Sequence, residues 1–172
     1  DWKGYILPIA YTSNEAYRMK ITKKANDSQF EIIKTKLDKE IKSSPEDHDF
    51  SDCLFQDHWD NPQAFGVIVN TKLVAAIEVT EENWNNRLRI TELWVHDDYQ
   101  RQGIGKRLVE TCVKLAIKTK RRAIVLETQS SNTKAVDFYF KNNFEIIGFD
   151  TIHYSNDDLK KDTYRLEMGR ML

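Results

Sequence analysis

Two glycines and two cations lie close together in residues 95–106, between a predicted strand and a predicted helix. The first amides of a helix have no partner within the helix and carry partial positive charge. Gly103 and Gly105 leave room for a phosphate to approach such amides, and Arg101 and Lys106 add positive charge. A lone Gly-x-Gly also fits an ordinary turn, and neither a dinucleotide fingerprint nor a P-loop is complete here. These residues alone therefore indicate either a phosphate-binding turn or a plain glycine turn.

Three glutamates are candidates for accepting a proton or binding a cationic substrate. Glu92 lies in the apolar strand just ahead of the glycine turn, and Glu78 lies in the preceding strand. A carboxylate within an apolar strand is costly unless it is paired or used, so each is either a base or an ion-paired strand residue. Glu127 follows the apolar run 124–126 at a strand end, where sites of α/β proteins gather, and is a substrate contact or a structural residue.

Aromatic residues offer further candidates, each with an alternative role in packing. Tyr139 lies between two phenylalanines and either donates a proton or packs a helix against the sheet. Trp59 and Trp84 either line a pocket for a cationic amine or pack in the core. The four histidines and two cysteines show no metal-ligand spacing, so no metal is expected.

Alternating strands and helices must position these residues. Alternation over 17–21 and a turn at 26–28 indicate a hairpin, although residues 30–41 also fit a helix. Phe50, Leu54, Phe55 and Trp59 have the spacing of a short helix. Helices are predicted from about Gly103 and over 133–142, and strands over 64–69, 73–80, 88–95, 123–128, 144–149 and 164–168. This order predicts one domain, 1–172, with a mixed α/β (α+β) sheet.

Two motifs resemble a known family. Gln100-x-x-Gly103-x-Gly105 after a strand, and then Asn132-x-x-Ala135-x-x-Phe138-Tyr139, resemble the acyl-CoA signature and second motif of the GNAT superfamily of N-acetyltransferases. A closer likeness is to the branch that contains streptothricin acetyltransferases, carried by the stretches 82–85, 126–129 and 148–151 with Tyr154.

The resemblance implies a mostly antiparallel central sheet flanked by helices, in which a splayed strand pair forms an acyl-CoA cleft. It divides the domain into an acceptor-shaping segment with the hairpin (1–63), an acyl-CoA core (64–150) and C-terminal strands (151–172). Acetyl-CoA is the implied cosubstrate. Its diphosphate would rest on the glycine turn and its pantetheine on the preceding strand, and Tyr139 would protonate the leaving thiolate. The implied cosubstrate-binding residues are Leu93, Trp94, Val95, Gln100, Arg101, Gln102, Gly103, Ile104, Gly105, Lys106, Asn132 and Tyr139.

The implied activity is transfer of an acetyl group to a primary amine of a small molecule, such as a streptothricin-like antibiotic. Direct attack in a ternary complex is expected, because no Cys or Ser has an evident activating partner. Glu92 and Glu78 are the candidate bases, and Trp84, Glu127 and Trp59 the candidate acceptor contacts. A peptide or protein acetyltransferase and a non-catalytic acyl-CoA sensor remain alternatives.

Composition narrows the range of partners. The chain has 172 residues, with 26 Lys and Arg against 27 Asp and Glu, and a formal net charge of -1. This balance does not favour nucleic acid or an anionic membrane. No apolar run approaches the roughly 18–20 residues of a membrane span, and no signal-peptide pattern opens the chain. We therefore expect a cytoplasmic protein, and the family habit adds a homodimer through the C-terminal strands.

Overall fold

The computed structural model describes residues 2–47 and 52–172. These residues form two compact units. The first unit comprises the described residues of Asp1–Ala10, Ser44–Leu126 and Gly169–Leu172, and the second comprises Tyr11–Ser43 and Glu127–Met168.

Strands predominate, and two α-helices accompany them in the described residues. The strands are β1 (Tyr11–Lys23), β2 (Ser28–Ser43), β3 (Gln63–Val69), β4 (Lys72–Glu82), β5 (Arg87–Val95), β6 (Ala123–Gln129), β7 (Glu145–Asp150) and β8 (Arg165–Met171). The helices are α1 (Ile104–Lys118) and α2 (Thr133–Lys141). Each of these elements was predicted near its observed position, and the mixed, mostly antiparallel α+β class is confirmed.

Hydrogen bonds in the first unit join the strands in the order β3-β4-β5-β6. β3, β4 and β5 are antiparallel neighbours, whereas β6 runs parallel to β5. The turn between β3 and β4 has φ values of 47° at Asn70 and 68° at Thr71, as in the primed turns that suit two-residue hairpins. Residues 73–80 of β4 are buried, and their almost continuous apolar sequence is typical of a strand covered on both faces.

Helix α1 links β5 to the parallel strand β6 and packs on β4 and β5. Its buried residues Leu108, Val109, Cys112 and Ala116 form the apolar stripe that the sequence predicts. α1 has 15 residues, and no helix in 2–47 or 52–172 combines the length and apolarity that a membrane crossing requires.

The second unit contains the N-terminal hairpin. β1 and β2 pair antiparallel along most of their length, so the hairpin is confirmed over the alternative helix at 30–41. Helix α2 contacts β1 and ends where Asn143 adopts a φ of 62°. Asn is one of the two residues that commonly accept this left-handed position after a helix. Strands β6 and β8 each contribute residues to both units. Hydrogen bonds join β6 to β8 and β8 to β7.

The short helix predicted from Phe50, Leu54, Phe55 and Trp59 is wrong in the described residues. Phe50 lies outside them, and residues 52–62 form turns. Cys53 forms an isolated antiparallel bridge with Ile6, and Phe55 has a φ of 59°, which a right-handed helix cannot contain. Leu54, one of these apolar residues, instead packs in the core of the first unit.

Candidate active site

Strand β5 continues beyond its parallel ladder with β6. That ladder runs from Arg87 opposite Ala123 to Ile90 opposite Leu126. Residues 91–95 lie beyond it, and β4 pairs with Leu93, Trp94 and Val95 on the opposite edge. A strand edge outside a ladder presents backbone donors and acceptors that an extended ligand can use. This is the local arrangement that the pantetheine prediction for these three residues requires.

Two glutamines brace the turn that follows β5. Gln100 Nε2 donates to the Val95 carbonyl oxygen at 3.0 Å and to Asp97 Oδ1 at 2.8 Å. Gln102 Nε2 donates to the carbonyl oxygen of Asp98 at 2.9 Å. Both predicted cosubstrate residues therefore use their amide side chains to hold the backbone of the turn.

The beginning of α1 has the geometry of an anion site. Gly103 is the N-cap in the left-handed region, with φ 79° and ψ 2°, and no side chain caps the helix among the described residues. Arg101 also has a positive φ, of 57°. The amides of Ile104 and Gly105 precede the first intrahelical bonds, so they are available to a phosphate. Lys106 keeps its cation exposed at the same turn, 3.9 Å from Glu110.

We expect substitution at Gly103 to cost stability through backbone strain. A Cβ atom here would meet no atom within 4 Å, so the cost comes from φ and not from crowding. Gly103→Ala should lower the free energy of unfolding by about 1 kcal/mol, and Gly103→Asn by less, because Asn tolerates the left-handed region. Urea unfolding of the two variants measures the difference. Equal losses for Ala and Asn would contradict the strain.

Glu78 and Glu92 lie side by side on β4 and β5 of the first unit. They are Cα partners, and the register shifts immediately after them so that Thr91 has no partner on β4 and forms a β-bulge. Glu78 is 0% exposed and accepts hydrogen bonds from Thr91 Oγ1 at 2.9 Å and from the Phe55 amide at 2.6 Å. Glu92 is 9% exposed. The two predicted bases are thus brought together, with Glu78 the more enclosed.

Neither cysteine has the environment of an acyl carrier. Burial, followed by the charges of Glu92 and Glu78, raises the pKa of the Cys53 thiol. Burial raises the pKa of the Cys112 thiol to about 12. Because the thiolate is the nucleophile, both thiols are poor nucleophiles at neutral pH.

Asn132 and Tyr139 belong to α2 in the second unit. Asn132 is the N-cap, and its Oδ1 accepts a hydrogen bond from the Ala135 amide at 3.2 Å, so this side chain caps α2. Tyr139 is 7% exposed, and its ring packs edge-to-face on Phe138 and Phe144 at centroid distances of 5.4 and 5.5 Å. Packing of the ring is therefore confirmed, and the proton-donor role stays a prediction.

Glu127 lies in a polar cluster of the second unit. Tyr154 Oη donates to Glu127 Oε1 at 2.6 Å, and Arg165 Nη1 lies 3.8 Å from Glu127 Oε2. Glu167 and His153 hold the same guanidinium. Burial, and next the Glu127 charge, raises the pKa of Tyr154, which keeps the phenol protonated as a donor. Glu127 is exposed at the edge of this cluster, where a carboxylate can also bind a cation.

The two candidate acceptor tryptophans lie in turns of the first unit. Trp84 is 86% exposed in the turn before β5, with the Arg87 guanidinium 6.0 Å from its ring centroid. At about 3.3 Å per residue, Arg87 and Glu92 are roughly 17 Å apart along β5, so Trp84 is remote from the two glutamates. Trp59 is half-buried in the 52–62 turns, with its ring 4.6 Å from that of His58.

Several residues that contact the candidate glutamates were not predicted from the sequence. Thr91 and Phe55 carry the contacts to Glu78, and Arg165 carries one to Glu127. A bulge leaves no mark in the alternation of β5, and a backbone amide carries no residue signature. Tyr154 was noted only within a resembling stretch.

Curated relatives resemble part of the chain. Streptothricin acetyltransferase A of Bacillus subtilis (strain 168) is 32% identical over 93 residues, which cover 54% of this chain and 53% of that protein. The streptothricin acetyltransferase of Escherichia coli is 30% identical over 104 residues, covering 60% and 59%. The chain thus spans little more than half the length of these curated relatives.

Solved structures resemble the chain over nearly its whole length. A nourseothricin acetyltransferase superposes with a TM-score of 0.73 and 18% identity, covering 96% of this chain and 88% of that one. A protein from Bacillus anthracis str. Ames, assigned as a streptothricin acetyltransferase and solved with acetyl coenzyme A, superposes with a TM-score of 0.70 and 20% identity, covering 96% and 90%. At these identities the likeness concerns the fold.

A family model adds the decisive match. The model of the acetyltransferase (GNAT) family matches residues 30–144, which is more than half of the chain. The match includes the glycine turn, β4, β5 and the whole of α2. The chain belongs to the acetyltransferase (GNAT) family.

Proposed function

We propose that this protein is an N-acetyltransferase that moves an acetyl group from acetyl-CoA to a primary amine of a small molecule. The observation that carries the proposal is the start of α1, where a left-handed Gly103 precedes helix amides that no side chain caps in the described residues. Backbone amides in this arrangement suit a diphosphate. Family membership supports the same assignment.

The residues that would hold acetyl-CoA lie in this turn, in the strand before it and at the start of α2. Backbone amides from Arg101 to Lys106 would bind the diphosphate, and the edge of β5 at 93–95, which lies beyond the ladder with β6, would bind the pantetheine arm. Asn132 would add a donor from its side-chain amide nitrogen, because the cap uses Oδ1. When bound, acetyl-CoA supplies an acetyl group activated as a thioester.

The proposed reaction is direct attack by the amine. The amine nitrogen bonds to the acetyl carbon and the carbon–sulfur bond breaks. Glu92 accepts the proton that the nitrogen releases, and Tyr139 donates a proton to the departing sulfur. A backbone amide of the β5 edge would stabilise negative charge on the carbonyl oxygen. The products are an amide and a free thiol, and solvent restores both side chains.

The proposed acceptor is a small molecule that carries a primary amine and further positive charge, as streptothricin does. The curated relatives named for streptothricin support this choice. The exposed Glu127 carboxylate, held by Tyr154, would bind the acceptor's cation. Trp59 and Trp84 stay candidates for aromatic contacts, although Trp84 would act only at the far end of β5.

A thiol-release assay with acetyl-CoA tests the proposal. The panel contains streptothricin, polyamines, lysine-bearing peptides and peptides with a free N-terminus. We expect turnover with streptothricin or a polyamine and little with peptides. Turnover restricted to peptides would favour a protein acetyltransferase, and calorimetric binding of coenzyme A without turnover would favour a sensor.

A further inference from the structure

We propose that Glu78 is a positioning residue that fixes the acceptor side of the site by tying the 52–55 segment to the bulge beside Glu92. This role rests on the proposed function, in which Glu92 accepts the proton of the amine. Glu78 itself touches neither reacting atom. Its carboxylate joins three parts of the first unit: β4, the bulge of β5 and the segment before β3.

The burial of Glu78 argues for a specific task. Glu78 is 0% exposed, and its neighbours along β4, Ile77 and Val79, are 0% and 1% exposed, so the carboxylate is buried within a largely apolar stretch of the strand. A buried carboxylate is costly unless hydrogen bonds compensate it. Glu78 has one such bond at each oxygen, from Thr91 Oγ1 at 2.9 Å and from the Phe55 amide at 2.6 Å.

The Phe55 contact holds a strained piece of backbone. Phe55 has a φ of 59°, an unfavourable conformation for a bulky residue. On the other side of the same segment, the Leu54 amide donates to the Tyr5 carbonyl oxygen at 3.0 Å and the Gly4 amide donates to the Leu54 carbonyl oxygen at 2.8 Å. The segment is therefore held by the N-terminal chain on one side and by Glu78 on the other.

The Thr91 contact connects this segment to Glu92. Thr91 is the extra residue of the bulge, and a bulge redirects the side chains next to it. Glu92 follows Thr91 directly and is the Cα partner of Glu78. Cys53 lies close enough to both carboxylates for their charges to raise its pKa. A loss of the Glu78 bonds would thus shift Glu92 and the 52–55 segment together.

The kinetic experiment compares Glu78→Gln, Thr91→Val and Thr91→Ser with Glu31→Gln, an exposed change on β2. Because displacements near 1 Å can cost 100-fold, we expect Glu78→Gln and Thr91→Val to lower kcat/KM for the amine about 10- to 100-fold. Thr91→Ser keeps the hydroxyl and should stay within about threefold of the unmodified protein. In all four variants the KM for acetyl-CoA should equal that of the unmodified protein.

Hydrogen exchange of the backbone amides supplies a readout that does not need turnover. In Glu78→Gln the Phe55 amide should exchange faster by about 10-fold, the equivalent of losing roughly 1.4 kcal/mol of protection. The Tyr17 amide, which donates to the Ser130 carbonyl oxygen in the second unit and lies outside the 52–55 segment, serves as the internal reference.

The outcomes separate the two proposals. Two results in Glu78→Gln would overturn the positioning role while leaving the acetyltransferase function in place. One is an unchanged exchange rate of the Phe55 amide, and the other is an equal increase in the KM for acetyl-CoA and the KM for the amine. A loss of activity in Thr91→Ser as large as that in Thr91→Val would also overturn the positioning role. If the unmodified protein acetylates no amine, the proposed function falls, and the positioning role falls with it.

Discussion

Tyr139→Phe is expected to lower kcat about 100-fold while leaving the Kd for coenzyme A unchanged. A positioned general acid contributes roughly 10²–10⁴-fold, and the low end applies because a thiol with a pKa near 8.5 leaves readily without help. The ring is buried against Phe138 and Phe144, so Phe keeps the packing and removes only the hydroxyl. Single-turnover thiol release measures the chemical step, and calorimetry measures the affinity.

Tyr164→Phe is the matched control. Tyr164 is 1% exposed, and its hydroxyl has no hydrogen-bond partner among the described residues. Deleting it should leave kcat unchanged and should stabilise the fold slightly, because a buried unpaired hydroxyl is costly. Equal kcat values for Tyr139→Phe and the unmodified protein would remove Tyr139 from the acid role.

Glu92→Gln is expected to lower kcat/KM for the amine about 100- to 1000-fold at neutral pH. An alkylammonium has a pKa near 10.4, so at pH 7 almost every acceptor molecule must lose a proton before it attacks. Gln cannot accept that proton. The deficit should shrink as the pH approaches 10, because the neutral amine then becomes abundant without a base. A pH series of kcat/KM for both proteins measures this convergence.

The control for Glu92 is again Glu31→Gln, which removes one carboxylate from an exposed position of β2. Its kcat/KM should match that of the unmodified protein at every pH. A Glu92→Gln deficit that is constant from pH 7 to about 10 would indicate a structural role. No deficit at all would show that another group or water accepts the proton.

Most of the secondary structure could be predicted because it depends on local pattern. Alternation placed β1, and the turn residues 26–28 placed the return strand β2. The apolar stripe of α1 and the glycines before it were legible for the same reason, since helix faces and helix starts involve residues only a few positions apart. The failure at 52–62 has the opposite origin. The apolar residues there have helical spacing, but they lie in turns because Cys53 pairs with Ile6 and the Phe55 amide donates to Glu78.

The candidate site shows the same contrast between features set by local sequence and features set by long-range contacts. Sequence alone determined the glycine turn and the residue types Glu78, Glu92, Glu127 and Tyr139, because side-chain chemistry and short motifs are written locally. Only the tertiary structure decided that Thr91 forms a bulge, that Glu78 bonds the Phe55 amide, and that Tyr154 and Arg165 hold Glu127. These contacts join residues far apart in the chain. Strand register and the paths of the turns at Phe55 and Tyr154 bring them together, and a single sequence encodes neither locally.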